Sequence, residues 1–296
     1  MDEFATIERI VDVLGPHSTG PWVNVGPGDD AALIQARPDH ELVASIDTLV
    51  ADVHFPAEVP ADLIGYRALM VALSDLAAMA AQPRYVLVAL TCDAIDGDWI
   101  GDLAAGMAAA AARVEVPLCG GNLARGPLSI SVSVHGDVPV GQAVLRSGAK
   151  VGEYVYVTGA LGGAAACVRE RDFAPREELT ALQTAYYRPL ARFDCGGDLR
   201  DVATAAIDIS DGLVGDLTHI AGASGVGLAL SARDIPVAPG AQLDDALYGG
   251  DDYELAFTSP LALPNYPCIG TVAVGAGVLI DGQPAQRSGF RHFHDQ

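Results

Sequence analysis

A chain of 296 residues, half of them hydrophobic, can bury one large core or two ordinary ones, which excludes a disordered polypeptide. Its 38 Asp and Glu outweigh 17 Lys and Arg, and the formal net charge of −21 repels nucleic acid, anionic membranes and free nucleotides alike. A phosphate-bearing substrate would need a metal as escort, although acidity also serves solubility alone.

The elements follow in chain order. Phe4, Ile7, Ile10, Val11 and Leu14 share one helical stripe, and Met1-Asp2-Glu3 lacks a basic lead, so the N-terminus reads as a docked helix and not a signal peptide. Residues 41–50 read as a strand running into a functional turn. Pro60 and Asp62 open a long helix to about Ala81, stopped before Pro83. A buried strand over 85–91, an Ala-rich helix from Asp98 to Arg113 and a half-buried strand from Leu128 to Val134 come next. Residues 141–150 form a linker. Glu153 to Thr158 is a strand, followed by Gly159-Ala160-Leu161-Gly162-Gly163 and a helix. Further helices fall near 176–187 and 211–223, and strands near 226–231, 253–258 and 268–274. The expected organisation is α+β in two domains, 1–140 and 141–296. The apolar stretches at 63–80 and 103–112 are too short or too charged to span a bilayer. Five cysteines (92, 119, 167, 195, 268) form no C-x-x-C pair, which points to reduced thiols and a cytoplasmic protein.

Acidic clusters stand beside glycines and turns: Gly28-Asp29-Asp30, Ser45-Ile46-Asp47, Ser74-Asp75, Asp208-Ile209-Ser210-Asp211 and Gly249-Gly250-Asp251-Asp252. Lys150 is the single lysine, so cationic partners are few, and a divalent cation on hard oxygen ligands is an economical counter-charge. Asp30 fits either a plain turn or a cleft-facing ligand. Asp75 sits among Leu73, Leu76, Ala77 and Met79, where an ionised Asp costs several kcal/mol unless paired or metal-bound; Arg67 or Arg84 is the alternative partner. Ser210 or Asp211 would cap a helix starting near Leu213, whose free N–H groups also attract phosphate. Gly120-Gly121-Asn122 and Gly159–Gly163 could cradle phosphates. Arg146, in a basic hexapeptide ending at Lys150, fits phosphate binding or an interdomain ion pair equally. His54 is a substrate contact or a structural histidine. No Walker sequence, no G-x-G-x-x-G and no Ser/His/Asp order is present, which removes P-loop, nicotinamide and triad chemistry.

Taken together, seven ordered motifs resemble the thiamine-monophosphate kinase family, in the superfamily of aminoimidazole ribonucleotide synthetase, selenophosphate synthetase and the hydrogenase-maturation dehydratase. They are Gly26–Leu33, Asp47–Val50 with His54-Phe55, Leu73–Met79, Arg146–Lys150, Ile207–Leu213, Gly249–Leu255 and Gly289–Phe293. The resemblance implies a two-domain synthetase-like α+β fold, with an N-terminal domain that builds a β-barrel shared in a homodimer and a C-terminal α/β domain. It implies transfer of the γ-phosphoryl group of ATP to thiamine monophosphate, assisted by several Mg²⁺ ions, in a protein that binds neither nucleic acid nor membrane. Carried over by position, Asp30, Ser45, Asp47, Asp75, Asn122, Asp208 and Asp211 would hold metal. Gly121, Asn122, Arg146 and Ser210 would hold ATP, and His54, Asp251 and Phe290 the thiamine phosphate. Asp30, Asp75, Asp208 and Arg146 would act in the transfer itself. The chain departs from the family in Asn122 for Asp, Ile46 for Thr and Asp251 for Glu. A nucleotide-binding homologue with little kinase activity, or another ATP-dependent enzyme of the superfamily, is the alternative.

Overall fold

The computed structural model describes residues 3–94, 96–175, 178–285 and 289. The chain divides into two compact units, Met1–Leu76 with Ala81–Gly141, and Ala77–Ala80 with Gln142–Gln296.

The first unit runs α1 (Glu3–Leu14), β1 (Val23–Val25), β2 (Leu33–Ile34), β3 (His40–Val50), α2 (Ala61–Ala78), β4 (Gln82–Cys92), α3 (Gly97–Val114), β5 (Leu118–Arg125) and β6 (Ser129–Pro139). Its four-stranded sheet has the order β3-β6-β4-β5, with β4 and β5 parallel and the other pairs antiparallel. Alternation along β6 decides its faces: Ile130, Val132 and Val134 are fully buried, whereas Ser131, Ser133 and His135 point to the other side. The buried face is covered by α2, which is apolar almost all round and buried at every position except Asp62 and Asp75. This helix ends three residues before the expected Ala81. Ala80 has φ +55°, and the Ala81 N–H reaches back to the Leu76 carbonyl, so the chain turns straight into β4. Asp96 caps α3 by accepting from the Asp98 N–H at 2.9 Å. Strand β5 was not expected; its Gly120-Gly121-Asn122 run pairs with β4.

The second unit runs β7 (Tyr154–Val157), α4 (Gly163–Glu170), α5 (Ala181–Tyr187), α6 (Phe193–Val202), β8 (Ala205–Asp208), α7 (Leu213–Ser224), β9 (Gly227–Leu230), α8 (Leu243–Tyr248), β10 (Leu255–Ser259), β11 (Cys268–Ala273), β12 (Gly277–Ile280) and β13 (Gln283–Pro284). These strands form one sheet in the order β13-β12-β9-β11-β7-β10-β8, antiparallel except for β9 beside β12. Side chains alternate across it. Val155, Val157, Ile207 and Ala256 pack with Leu213, Leu217 and Ile220 of α7. Tyr156, Ala206, Leu255 and Phe257 pack with Cys195 and Leu199 of α6. All five cysteines are free, and among the described residues no helix is long and apolar enough to cross a membrane.

Helices α2 and α3 meet through glycine. A Cβ on Gly106 would lie 1.9 Å from the Asp62 carbonyl oxygen, and one on Gly65 would lie 2.1 Å from that of Leu103. Gly106→Ala should therefore lower stability by about 2 kcal/mol or more, although Ala is the better helix former by about 1 kcal/mol. Thermal denaturation checks this; an unchanged or raised Tm would show that the helices part without cost.

Candidate active site

Strand β3 and helix α2 bring together three of the expected ligands. Ser45 and Asp47 lie two residues apart on β3 and face α2, where the Ser45 hydroxyl donates to Asp75 Oδ2 at 2.5 Å. Burial first, and the Asp75 charge second, push Asp47 up to about 6. Among the described residues neither carboxylate has an ion-pair partner. Arg84, one expected partner of Asp75, is engaged with Asp137 at 3.2 Å, beside Arg37 at 3.4 Å. Two carboxylates and a hydroxyl are the donor set that Mg²⁺ takes when substrate phosphates and water complete its shell. No three His, Cys, Asp or Glu side chains gather into a metal-holding group among the described residues.

The register places the remaining first-unit residues. Asp47 shares a row with Val132, Val88 and Gly121, whereas Asn122 shares the next row with Thr48, Ser131 and Ala89. Adjacent rows face opposite sides of a sheet, so within one chain Asn122 is not brought to Asp47 and Asp75. Ile46 also faces away, 64 % exposed. Gly121 and Asn122 instead line an apolar cavity of about 120 Å³ with Ile10, Leu14, Ile100 and Met107. Asp30 is exposed in a turn, its N–H donating to Asp29 Oδ1 at 2.8 Å. His54 is half-buried and accepts the Val50 N–H on Nδ1 at 3.0 Å, which leaves the proton of the neutral ring on Nε2.

In the second unit the Asp208–Asp211 turn is built from the backbone. Expected caps Ser210 and Asp211 do not cap α7; the N-cap is Gly212, without a side-chain bond. Asp216, 3 % exposed in the first turn of α7, accepts the N–H groups of Ser210, Asp211 and Gly212 on Oδ2 at 3.0, 3.1 and 3.1 Å. Burial, then Asp208 and Asp211, push Asp216 up to about 8. The segment 249–254 is stitched alongside: the Asp251 N–H donates to the Ser210 carbonyl and the Tyr253 N–H to that of Ile209. Asp251 and Tyr253 both have positive φ, 62° and 53°, a strain that is uncommon for such residues and is associated with functional turns. Between them Asp252 accepts the Gly162 N–H at 2.7 Å on one oxygen, while the other is buried without a hydrogen-bond partner among the described residues; burial raises its pKa well above the ordinary value. The Gly159–Gly163 turn is no phosphate cradle. It is buried over Leu161–Gly163, and the N–H groups of Leu161 and Gly162 go to the Pro236 carbonyl and Asp252. Arg146 is exposed in a loop that Ser224 anchors, taking the N–H groups of Gly148 and Ala149 at 3.1 Å each. Phe290 lies outside the described residues.

Sequence reasoning passed over Asp216 and Ser224, and named Asp252 only as a member of its acidic cluster. Only Asp216 leaves a signal, an acidic residue in the first turn of a helix after an acidic turn.

Residues 28–138 match the family described as AIR synthase related protein, N-terminal domain. The thiamine-monophosphate kinase of Salmonella typhimurium is 39 % identical over 98 % of this chain and 98 % of its own. The crystal structure of thiamine-monophosphate kinase from Stenotrophomonas maltophilia K279a superposes with a TM-score of 0.88 at 37 % identity, over 96 % of this chain and 98 % of that one. A further solved structure, AaThiL complexed with AMPPCP and TMP, gives a TM-score of 0.81 at 29 % identity over 98 % and 97 %.

Asp47 makes the metal-free protein pH-sensitive. Its folded pKa lies above the unfolded value, so the folded state holds a proton that the unfolded chain has released. Stability contributed by that proton is present below the unfolded pKa of 3.8 and is lost as pH rises through about 6. A divalent cation favours the ionised form, so Mg²⁺ should raise Tm more at about pH 7.5 than at about pH 5. Scanning calorimetry with and without Mg²⁺ checks this, and equal shifts at both values would rule it out.

Proposed function

The chain belongs to the thiamine-monophosphate kinase family, and on that premise we propose that it moves the γ-phosphoryl group of ATP to the phosphate of thiamine monophosphate, giving ADP and thiamine diphosphate. Support comes from relatives of that activity along nearly the whole chain. The observation that carries the chemistry is the Ser45–Asp75 bond beside Asp47, a group of hard donors with no ion-pair partner among the described residues. An acceptor phosphate is already ionised, so no strong general base is needed, and positioning with charge neutralisation is the work to be done.

Ser45, Asp47 and Asp75 would hold Mg²⁺ in the first unit; Asp208 and Asp211 would do so in the second, and Asp30 adds a carboxylate from its turn. When bound, Mg²⁺ supplies the neutralisation of phosphate charge that the transfer requires. Arg146, exposed on its anchored loop, pairs with ATP phosphates, and Ser210 contributes its hydroxyl. Gly121 and Asn122, on the rim of the apolar cavity, lie where the flat apolar faces of a base could be buried. The Asp251 carboxylate, steadied by the Tyr253 hydroxyl at 2.9 Å, and His54 contact the thiamine phosphate, as does Phe290. Domain limits of 1–140 and 141–296 and a cytoplasmic location complete the proposal.

The rival is a silent nucleotide binder, suggested by Ile46 and Asn122. Both side chains face away from Asp47 in their own chain, so their departure from the family leaves the Ser45–Asp47–Asp75 group intact. Asp75→Asn should cut turnover by about 100-fold or more, the scale for losing one charge-stabilising group. ADP release with Mg²⁺, ATP and thiamine monophosphate, against a control without acceptor, is the assay. Undiminished turnover in a folded Asp75→Asn, or acceptor-independent ADP in the wild type, would contradict kinase action.

A homodimer is proposed as well. The sheet face that carries Ser131, Ser133 and His135 also presents Leu42 and Ile46, 74 % and 64 % exposed, and β3 and β5 are free edges within the sheet. Such a surface is safer covered by a second copy. Light scattering at micromolar concentration should give twice 30.5 kDa; a monomer mass would refute it.

A further inference from the structure

Three backbone N–H groups at the start of a helix form the cradle that commonly takes a phosphate oxygen. Here the cradle of Ser210, Asp211 and Gly212 is filled from within by Asp216 Oδ2. We propose that Asp216 is a positioning residue: it occupies the amide cradle of α7 and holds the Asp208–Asp211 turn as an element that offers carboxylates, not amides, to its ligand. The inference rests on the proposed metal role of Asp208 and Asp211.

The surroundings fit a turn held in one shape. Gly212 has φ +115°, and a Cβ there would meet the Tyr248 backbone at 2.9 Å. Gly250 has φ +78°, and a Cβ there would meet the Ser210 carbonyl oxygen at 2.4 Å. The Ser210 carbonyl is already taken by the Asp251 N–H at 2.8 Å. The carbonyl side of the turn is bonded to 249–254 and its N–H side to Asp216. A carboxyl group this buried, placed beside two others, is tolerated for its three N–H bonds.

Two variants separate geometry from charge. Asp216→Asn keeps an acceptor oxygen in place and cannot ionise; Asp216→Glu keeps the carboxyl group but moves it by one methylene. Mn²⁺ binding is followed by electron paramagnetic resonance without nucleotide or thiamine phosphate, so the outcome does not depend on kinase activity. Positioning predicts that Asn loses about threefold in Mn²⁺ affinity and Glu about tenfold or more, the cost of unpaired buried donors exceeding that of a screened charge. Amide exchange of residues 210–212 should remain slow in Asn and become fast in Glu. A Glu variant that matches the wild type, or an Asn variant that falls as far as Glu, would overturn the proposal. The wild type decides alone if Glu does not fold: fast exchange of all three amides in the folded, metal-free protein would overturn it too.

Discussion

Asp47 and Asp75 lie together on the covered face of the first-unit sheet with a serine hydroxyl as their polar company. Three other carboxylates of the chain are neutralised by arginine. Asp137 has Arg84 and Arg37, Glu254 has both oxygens on Arg192 at 2.9 and 2.7 Å, and Asp245 has Arg169. Among the described residues the Asp47–Asp75 pair has no arginine, so a metal cation proposed there would meet no competing protein cation.

The second unit solves a related problem by another route. Asp216 is stabilised by three N–H groups, and Asp252 by one, so backbone and burial set their states and not opposite charge. The consequence is rigidity. The turn at 208–212 and the segment at 249–254 are bonded to each other through Ser210, Ile209 and Asp251, with strained residues at 251 and 253 held in place by that bonding. Phosphoryl transfer depends on such fixed placement more than on proton transfer.

Much of this was legible in the residues. The apolar run over 63–80 declares a buried helix, the Ser-Ile-Ser-Val alternation declares β6, and Asp75 stands out because an Asp has no local reason to be in such a helix. What escaped was set by tertiary contact. Gly120-Gly121-Asn122 has the composition of a turn, yet it is a strand because β4 supplies its partner. Helix α6 contains Cys195-Gly196-Gly197, weak helix formers, and owes its place to Leu199 and Cys195 packing with Tyr156 and Phe257. The glycines at 159–163 suggested a ligand loop, but they answer to close approach: a Cβ on Gly159 would meet the Glu254 carboxylate at 2.5 Å. Asp216 left only the weak signal of an acidic residue in a first helical turn, because its partners are main-chain groups four to six residues behind it. The relation of Asn122 to Asp47 needed the strand register, since neighbouring rows differ only in which face they use.

The central claim is that the Asp47–Asp75 pair is completed by a divalent cation. Anomalous diffraction from crystals soaked in Mn²⁺ with a non-hydrolysable ATP analogue tests it most directly. The account predicts a Mn²⁺ peak within bonding distance of both carboxylates. A bound analogue with no anomalous peak at that pair, or an arginine moved in to neutralise it, would contradict the account.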